Sequence, residues 1–298
     1  MNAKLESILA RLPEDVREGL VVRPLGGGMT NQNYLLDRNG ETFVLRVFGE
    51  DTQLLGIDRP RERTCTTIAA QTGIGAEVVA WIPGEDIMVT RFIPGGTLTS
   101  EKSAEPATME RIIASIRRCH DGPPFPGVFS AFEDIRSYCQ QAQNRGIPLP
   151  DSYSEALEQL AMIESAIGPV SVPKPCHNDL LAGNLIWDGE RIRIIDWEYG
   201  GMGDPFFDLG FFAADAELDD AQCQRLLSHY FGECKPKDLA HLHLMRLVSH
   251  LRETFCALLI SAISEIEIDY HSYANRRYEK YLSEATTSRF QQWLQDVA

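Results

Sequence analysis

The sequence predicts an α+β protein with two lobes, a small lobe built on an antiparallel β-sheet and a larger lobe built from helices. Three observations lead to this prediction. Strand-like runs separated by turn signals fill residues 20–92, helical periodicity fills most of the chain after residue 94, and a segment rich in Pro and Gly lies between them. With 298 residues, of which 44% are hydrophobic, the chain is long enough to bury a sizeable core.

The small lobe is expected to hold several strands and one helix. The dipeptide Asn39-Gly40 between two apolar runs is a strong hairpin signal, and Gly73 is a typical helix stop. A second turn is predicted at Pro83-Gly84. The Pro94-Gly95-Gly96 segment marks the boundary, so the predicted lobes are residues 1–93 and 94–298. The strands are expected over residues 20–25, 33–36, 42–48, 76–81 and 86–92, and the helix over residues 58–72.

The larger lobe is expected to be helical except for one β-hairpin. Helical spacing of apolar side chains, as at Met109, Ile112 and Ile116, is the basis for these predictions. The hairpin should turn at Asp188-Gly189, which joins strands over residues 184–187 and 191–197. The helices are expected over residues 106–120, 131–145, 152–167, 206–216, 219–231, 236–264 and 270–285.

Charge and cysteine content exclude several classes of protein. The net charge of −15 disfavours nucleic acid and anionic membranes as partners. Residues 1–93 carry 10 basic and 13 acidic side chains, so most of the excess acidity lies in the second lobe, either for solubility or around a cation-attracting site. Seven cysteines without a CxxC pair argue against disulfides and zinc, and we see no signal peptide or membrane-length apolar run. We expect a cytoplasmic protein that does not insert into membranes.

The most informative stretch brackets the predicted hairpin. Because an Asp-Gly tip turns the chain back sharply, Asn184 and Asp196 should both lie near the open end of the hairpin, with Asp179 on the loop that enters it. Glu198 follows Asp196 by two residues, so it is expected on the same strand face. Each of these residues alone could be an ordinary polar loop residue, but their ordered combination favours a functional site.

Carboxylate and amide oxygens are ligands that Mg²⁺ prefers. Phosphoryl transfer needs a metal that neutralises the phosphates and a separate carboxylate that orients the acceptor hydroxyl. The pattern therefore predicts Asn184, Asp196 and Glu198 as magnesium ligands and Asp179 as the catalytic carboxylate.

These residues carry a resemblance to a known family. The pattern H-x-D-x4-N followed by I-D-[FW] is similar to that of protein-kinase-like small-molecule kinases, and Asp196-Trp197-Glu198-Tyr199 resembles the D-[FW]-E-Y of choline/ethanolamine kinases. The run from Ile263 to Tyr273 also resembles theirs. The resemblance implies a protein-kinase-like fold, ATP and Mg²⁺ as cofactors, and transfer of a phosphate to an alcohol. It further implies structural roles for His177 and for Asp208, which braces the catalytic loop.

The first lobe agrees with this resemblance. The glycine-rich link after the first strand could bring backbone N–H groups close to phosphates, although a plain hairpin loop is an equal alternative. Arg46 lies in a strand that is apolar on both faces, and Glu62 lies on the inward stripe of its helix, so we expect the two to pair. They would bind phosphates or form a purely structural ion pair. Adenine is expected on the backbone of the connection, Thr90–Ile93. The nucleotide-binding residues are predicted as Gly27, Gly28, Thr30, Asn31, Arg46, Glu62, Arg91, Phe92 and Ile93.

The acceptor is less well defined by the sequence. Choline kinases resemble one another in tryptophans on the helix that spans residues 247–263 here, but this chain has Glu253 and Cys256 at the matching positions. A quaternary ammonium is usually bound by aromatic rings, whereas acidic side chains suit a primary ammonium that donates hydrogen bonds. We expect a small cationic alcohol, with ethanolamine-like amines preferred over choline. The substrate-binding residues are predicted as Tyr199, Asp215, Glu253, Tyr270 and Tyr273.

Three alternatives remain open at this point. The motif Gly203-Asp204-Pro205 is compatible with an aminoglycoside phosphotransferase or another hydroxyl-directed enzyme of the same fold. A pseudokinase would bind nucleotide without turnover, which Asp179, Asn184 and Asp196 argue against. A scaffold protein would not bind nucleotide at all. The sequence leaves the oligomeric state open.

Overall fold

The N-terminal region folds as a five-stranded antiparallel sheet. A computed structural model describes residues 3–298 except residues 13–16, 18, 27, 29, 50, 83–86 and 265. The strands are β1 (Val21–Leu25), β2 (Asn31–Arg38), β3 (Glu41–Phe48), β4 (Val78–Ile82) and β5 (Ile87–Arg91), in the order β1-β2-β3-β5-β4. Asn39 and Gly40 have φ angles of 49° and 85° and join β2 to β3, which confirms the predicted hairpin. The predicted turn at Pro83-Gly84 lies outside the described residues.

The described residues of this region form two α-helices with stated bounds, α1 (Ala3–Leu9) and α2 (Arg59–Gln71). Helix α2 was predicted, and its start is fixed by Asp58, whose carboxylate accepts the Arg61 N–H. Its inner face buries Glu62, as the stripe indicated. The sequence did not predict α1, which is only seven residues long and is stabilised by packing on the sheet core rather than by its own pattern.

The C-terminal region is helical and is organised around one long helix, α9 (Pro236–Ile260). Beside it lie α5 (Ala131–Asn144), α7 (Pro205–Asp215), α10 (Tyr270–Ala285) and α11 (Ser288–Val297). Every residue of α9 from 242 to 260 is buried, which is the pattern of a helix that is surrounded by other elements on all sides. The helices are α3 (Ser100–Ala104), α4 (Pro106–His120), α5 (Ala131–Asn144), α6 (Tyr153–Ile167), α7 (Pro205–Asp215), α8 (Asp220–Phe231), α9 (Pro236–Ile260), α10 (Tyr270–Ala285) and α11 (Ser288–Val297).

All seven predicted helices of this region are present, with ends shifted by a few residues. Helix α9 stops at Ile260 rather than at residue 264, because the chain tightens there into i→i−3 bonds such as that from the Ile263 N–H to the Ile260 carbonyl. The short helix α3 and the terminal helix α11 were not predicted. None of the described helices is both long enough and apolar enough to cross a bilayer.

Five short strands complete the fold. The strands are β6 (Gly96–Thr97), β7 (Lys174–Cys176), β8 (Leu185–Trp187), β9 (Ile192–Ile194) and β10 (Gly201–Gly203). Strands β8 and β9 form the predicted hairpin, and β6 pairs with β8. The expectation that the second strand continues to residue 197 is wrong. Asp196 has a φ of 70°, a left-handed conformation that ends the strand and turns the following residues out of the sheet.

Candidate active site

The candidate site is a cavity of about 560 Å³ between the N-terminal sheet and the helical region. Its walls come from the loop before β2, from β3, from the segment after β5, from the loops around the β8–β9 hairpin and from α9. Its size is typical of a small-molecule site. The residues on the walls that the sequence singled out are Gly28, Thr30, Arg46, Arg91, Phe92, Ile93, Asp179, Asn184, Asp196, Glu198, Tyr199 and Glu253.

The loop that carries Asp179 is fixed from below by Asp208 of α7. One oxygen of the Asp208 carboxylate accepts the Asn178 N–H at 2.6 Å and the other accepts the His177 N–H at 2.8 Å. The ring Nε2 of His120 lies 2.9 Å from the second oxygen. Three charge-assisted hydrogen bonds on one buried carboxylate hold this loop in a single conformation. This is the bracing geometry that the resemblance implies.

His177 is bound through both ring nitrogens to the backbone of the same loop region. Its Nδ1 accepts the Asp179 N–H at 3.2 Å, so its Nε2 donates to the Ile195 carbonyl at 2.9 Å. The ring packs edge-on against Trp197, and burial lowers the pKa of His177. Because both nitrogens are engaged, the geometry favours the structural interpretation of this residue.

Asp179 and Asn184 lie together at the mouth of the hairpin. The Asn184 Nδ2 donates to the Asp179 carbonyl at 2.9 Å and lies 3.3 Å from the Asp179 Oδ2. A short 3₁₀ turn over Ala182–Asn184 brings the amide back onto the loop. Since the amide nitrogen faces Asp179, the amide oxygen is available to a ligand.

Three carboxylates converge beside them. Glu62, Asp196 and Glu198 each offer an oxygen, and these oxygens lie within 4.8 Å of one another. We call this set the carboxylate cluster. The expectation that Asp196 and Glu198 share a strand face is wrong, because β9 ends at Ile194 and Asp196 is left-handed, but both side chains line the cavity.

Two arginines neutralise the carboxylate cluster. Arg46 Nη1 donates to Glu62 Oε1 at 3.1 Å and to Asp196 Oδ1 at 2.6 Å. Arg59 Nη1 donates to Glu62 Oε2 at 2.7 Å and lies 3.3 Å from Glu198 Oε2, while its guanidinium covers the Phe48 ring at 3.9 Å. The predicted pairing of Arg46 and Glu62 is therefore present. The sequence analysis missed Arg59. It lies three residues before Glu62 on the same helix face, so the i, i+3 spacing in the sequence was a signal for this ion pair.

Burial changes the acidity of the carboxyl groups. It raises the pKa of Asp179 well above its usual value, an effect that nearby Glu253 increases and Arg252 opposes. It also raises the pKa of Glu198 to about 7, with the charge of Asp196 adding to the effect. The site therefore holds several buried carboxyl groups close together, and a bound cation would favour their ionised form.

The glycine-rich link contacts the carboxylate cluster directly. Thr30 Oγ1 donates to Glu198 Oε1 at 3.1 Å, and Asn31 Nδ2 donates to Glu198 Oε2 at 3.2 Å. Gly28 lies on the cavity wall with a φ of 94°, a conformation that favours glycine, whereas Gly27 lies outside the described residues. The link thus reaches Glu198, and its contact with phosphates stays a prediction.

The segment after β5 presents backbone to the cavity. The Arg91 N–H donates to the Glu77 carbonyl and the Phe92 N–H to the Thr42 carbonyl. Among the described residues, no backbone carbonyl accepts the Ile93 N–H, so it is the amide of this segment that a base could use. The Arg91 side chain points outward to two surface glutamates.

The end of the cavity near α9 is lined by Tyr199, Arg252, Glu253 and Cys256. Arg252 is fully buried, and its guanidinium lies over the Tyr199 ring at 4.0 Å. Its Nη1 donates to Glu253 Oε1 at 3.2 Å and lies 4.0 Å from Asp179 Oδ1. The sequence analysis missed Arg252. The signal was a pair of adjacent charges, Arg252 and Glu253, inside an otherwise apolar stretch of helix.

The other predicted substrate residues lie behind this wall. Tyr273 donates its hydroxyl to Glu253 Oε2 at 2.7 Å, and Asp215 accepts from Arg277 at 2.8 Å and from the Ala182 N–H at 2.8 Å. The Tyr270 hydroxyl lies 2.9 Å from the Ser264 hydroxyl. Asp215, Tyr270 and Tyr273 are not among the described residues that line the cavity. The structure thus brings Tyr199 and Glu253 to the site and places the other three in its support.

A two-lobed fold with an Asp–Asn pair and a carboxylate cluster facing one cavity defines a phosphotransferase of the protein-kinase-like class. The chain belongs to the phosphotransferase enzyme family (APH), whose model matches residues 21–242. The predicted fold class and the predicted resemblance to choline/ethanolamine kinases are both confirmed. The protein is an enzyme, a small-molecule kinase.

Individual relatives agree with this assignment. The chain is 30% identical over 210 residues to protein LicA of Haemophilus influenzae, and this match covers 70% of this chain and 62% of that protein. It therefore spans less than two thirds of the length of that relative. It is 27% identical to probable ethanolamine kinase A of Dictyostelium discoideum, covering 89% of this chain and 85% of that protein. The crystal structure of a choline/ethanolamine kinase family protein from Mesorhizobium loti matches with a TM-score of 0.84 and 29% identity, over 99% of this chain and 98% of that one.

Proposed function

We propose that this protein is an ATP- and Mg²⁺-dependent kinase that transfers the γ-phosphate to the hydroxyl of a small amino alcohol. The observation that carries the proposal is the meeting of Asp179, Asn184, Asp196 and Glu198 on one cavity wall, opposite Arg46. The similarity to proteins named ethanolamine kinase and choline/ethanolamine kinase supports the same acceptor class. In this proposal, residues 1–93 form an N-lobe that binds the nucleotide phosphates, and residues 94–298 form a C-lobe that carries the catalytic loop, the metal ligands and the acceptor site.

The donor set fits magnesium. Asp196 and Glu198 are carboxylates that share a cluster, and Asn184 can present an amide oxygen, so the site offers hard oxygen ligands without histidine or cysteine. We assign Asn184, Asp196 and Glu198 as the residues that would bind the ion. When bound, Mg²⁺ neutralises negative charge on the nucleotide phosphates.

The N-lobe residues would hold the nucleotide. Arg46, kept in place by Glu62, is available to the phosphates because its guanidinium retains further donors beyond Nη1. The adenine would bind along Arg91, Phe92 and Ile93 and use the Ile93 N–H. The glycine-rich link would cover the phosphates through Gly27, Gly28, Thr30 and Asn31.

Asp179 would orient the acceptor hydroxyl and take its proton. The hydroxyl oxygen forms a bond to the γ-phosphorus while the bond from that phosphorus to the β-phosphate oxygen breaks, which releases ADP. Asn184 positions the Asp179 carboxylate through its amide nitrogen. The raised pKa of Asp179 makes it a better proton acceptor than an exposed aspartate.

The acceptor would lie at the α9 end of the cavity, which we call the acceptor end and define by Tyr199, Arg252, Glu253 and Cys256. Glu253 is the carboxylate there that a primary ammonium can reach. Asp215, Tyr270 and Tyr273 would support this wall from behind. We also propose a cytoplasmic location, which the buried free thiols support.

An ADP-release assay over a panel of acceptors tests the proposal. We expect amino alcohols such as ethanolamine to stimulate ADP release in the presence of Mg²⁺ and ATP, and we expect EDTA to abolish it. A preference for aminoglycosides would move the protein to the antibiotic-modifying branch of the family. ATP binding without release of ADP for any acceptor would show a pseudokinase, and either result would overturn the proposal.

A further inference from the structure

The aromatic rings at the acceptor end are already covered by guanidinium groups. Arg252 lies over the Tyr199 ring at 4.0 Å, with the Phe129 ring 5.5 Å away on another side. Behind the wall, Arg277 lies 5.2 Å from the centre of the Tyr273 ring. A ring face that carries a cation is not free to bind another one, and the fixed positive charge repels it. This end of the cavity is therefore unsuited to a quaternary ammonium such as choline.

Arg252 has donors that the protein leaves unused. Its Nε donates to Asp134 at 3.2 Å and its Nη1 donates to Glu253 at 3.2 Å. Its Nη2 is buried and has no hydrogen-bond partner among the described residues. A buried donor without a partner costs free energy unless a ligand supplies an acceptor atom. The side chain lines the cavity, so that ligand would be one that enters the site.

The geometry also indicates which ligand Arg252 faces. The two carboxylate oxygens of Asp179 have different neighbours, Oδ2 lying 3.3 Å from Asn184 and Oδ1 lying 4.0 Å from Arg252. Arg252 therefore lies on the side of Asp179 away from the proposed metal ligand. Its guanidinium lies within reach of a ligand bound at Asp179 Oδ1, which is where the acceptor hydroxyl would bind.

We propose that the acceptor is zwitterionic, a small hydroxylated amine that also carries a carboxylate. Arg252 binds the carboxylate, Glu253 binds the ammonium and Asp179 receives the hydroxyl. Asp179 Oδ1 lies 4.0 Å from the nearest nitrogen that the Arg252 guanidinium presents to it, so the hydroxyl and the carboxylate of one three- or four-carbon amino acid can reach Asp179 and this guanidinium together. This inference rests on the proposed function and narrows its acceptor class. The reaction is unchanged, since the carboxylate and the ammonium take no part in bond formation.

Two matched pairs of acceptors test the inference on the unaltered protein. Serine is ethanolamine with a carboxylate on the carbon that bears the amine, and homoserine has the same relation to 3-amino-1-propanol. We expect kcat/KM to be about 10-fold or more higher for the carboxylate-bearing member of each pair, because a charge-assisted hydrogen bond to a buried guanidinium is gained. Choline should be the poorest of the series.

The outcomes of this test separate the two proposals. If the amines without a carboxylate react as well as their partners, the zwitterion inference is wrong and the proposed function stands. If no member of either pair stimulates ADP release, the amino-alcohol function itself fails. The wild-type measurement therefore decides the inference even if a variant does not fold.

A substitution of Arg252 tests whether this residue binds the carboxylate of the acceptor. Arg252→Gln should lower kcat/KM for both acceptors, since Arg252 also contacts Glu253, but it should lower the value for serine about 10-fold or more beyond the value for ethanolamine. The matched control is Arg276→Gln, which removes an exposed arginine 5.9 Å from the Tyr273 ring and should leave both values unchanged. Nucleotide binding and circular dichroism report whether each variant is folded. A folded Arg252→Gln protein that keeps the preference for serine would contradict the assignment.

Discussion

At the nucleotide end of the cavity, the carboxylates and arginines bridge the sheet and the hairpin, whereas at the acceptor end arginines lie on aromatic rings. Arg46 bonds to Glu62 of α2 and to Asp196 after the hairpin, so this ion pair ties the two lobes together. Arg252 instead bonds to neighbours of its own lobe and covers Tyr199. The first arrangement can open toward a phosphate and a metal ion. The second presents a fixed pair of opposite charges, Arg252 and Glu253, to whatever enters.

The difference shows how specificity can be divided in this fold. The nucleotide end holds several carboxylates and two arginines in mutual contact. A phosphate or a metal ion can therefore replace one internal ion pair without leaving a buried charge unpaired. At the acceptor end, the Arg252 Nη2 has no hydrogen-bond partner among the described residues. Only an acceptor molecule that supplies a hydrogen-bond acceptor atom can satisfy it.

The largest effect is expected where the two ends meet. Asp179→Asn keeps the shape of the side chain but removes the proton acceptor, so kcat should fall about 10²- to 10⁴-fold with little change in ATP affinity. Asp196→Ala should instead weaken binding of the Mg²⁺–ATP complex. Steady-state kinetics with a fluorescent nucleotide titration separates these effects. Glu190→Gln, at the exposed hairpin tip, is the control. Equal and mild losses in both variants would contradict the assigned roles.

A smaller effect, confined to the nucleotide end, is expected for Arg46. Arg46→Met should lower kcat/KM for ATP about 10- to 10²-fold, because phosphate contacts are lost and Glu62 and Asp196 each lose a cationic partner. KM for the acceptor should change less than about threefold. Arg23→Gln removes an exposed arginine from the same sheet and serves as the control. A larger effect on the acceptor than on ATP would mean that the two ends are not independent.

The ion pair between Arg277 and Asp215, behind the acceptor end, is expected to contribute to stability rather than to nucleotide binding. Arg277→Gln removes the cationic partner of Asp215 at 2.8 Å and leaves a largely buried carboxylate with only its hydrogen bond from the Ala182 N–H, so the free energy of unfolding should fall by about 1–3 kcal/mol. ATP affinity measured below the unfolding transition should not change. Denaturant unfolding gives the first quantity, with Arg276→Gln as the neighbouring control. An unaltered stability would show that Asp215 does not need this arginine.

The two ends also differ in how far the sequence predicted them. Asp179, Asn184, Asp196 and Glu198 lie within 20 residues around a hairpin whose tip the Asp188-Gly189 signal fixes, so local geometry brought them together. The fold class and the seven C-terminal helices followed from periodicity in the same way. The left-handed turn at Asp196 did not, because a strand pattern continues through it.

The acceptor end depends on tertiary packing. Arg252 reaches Tyr199 and Asp179 across more than 50 residues of sequence, so no local pattern places it there. Asp215 and Tyr273 were expected at the substrate, but Arg277 and Glu253 engage them, and these pairings exist only after α7, α9 and α10 have packed. A charge inside a buried helix is visible in sequence, but its partner is not.

The smallest effect links the two ends through electrostatics. The Glu253 charge raises the pKa of Asp179, so Glu253→Gln should lower that pKa. Since Asp179 must be ionised to accept a proton, activity is lost as pH falls through its pKa, and the acid limb of kcat/KM for ATP should move about 0.5–1 unit to lower pH. Glu267→Gln, an exposed change just after α9, should leave the limb in place. A limb that stays fixed or moves to higher pH in Glu253→Gln would mean that a group other than Asp179 controls the rate, because removing a neighbouring negative charge can only favour ionisation of that carboxyl.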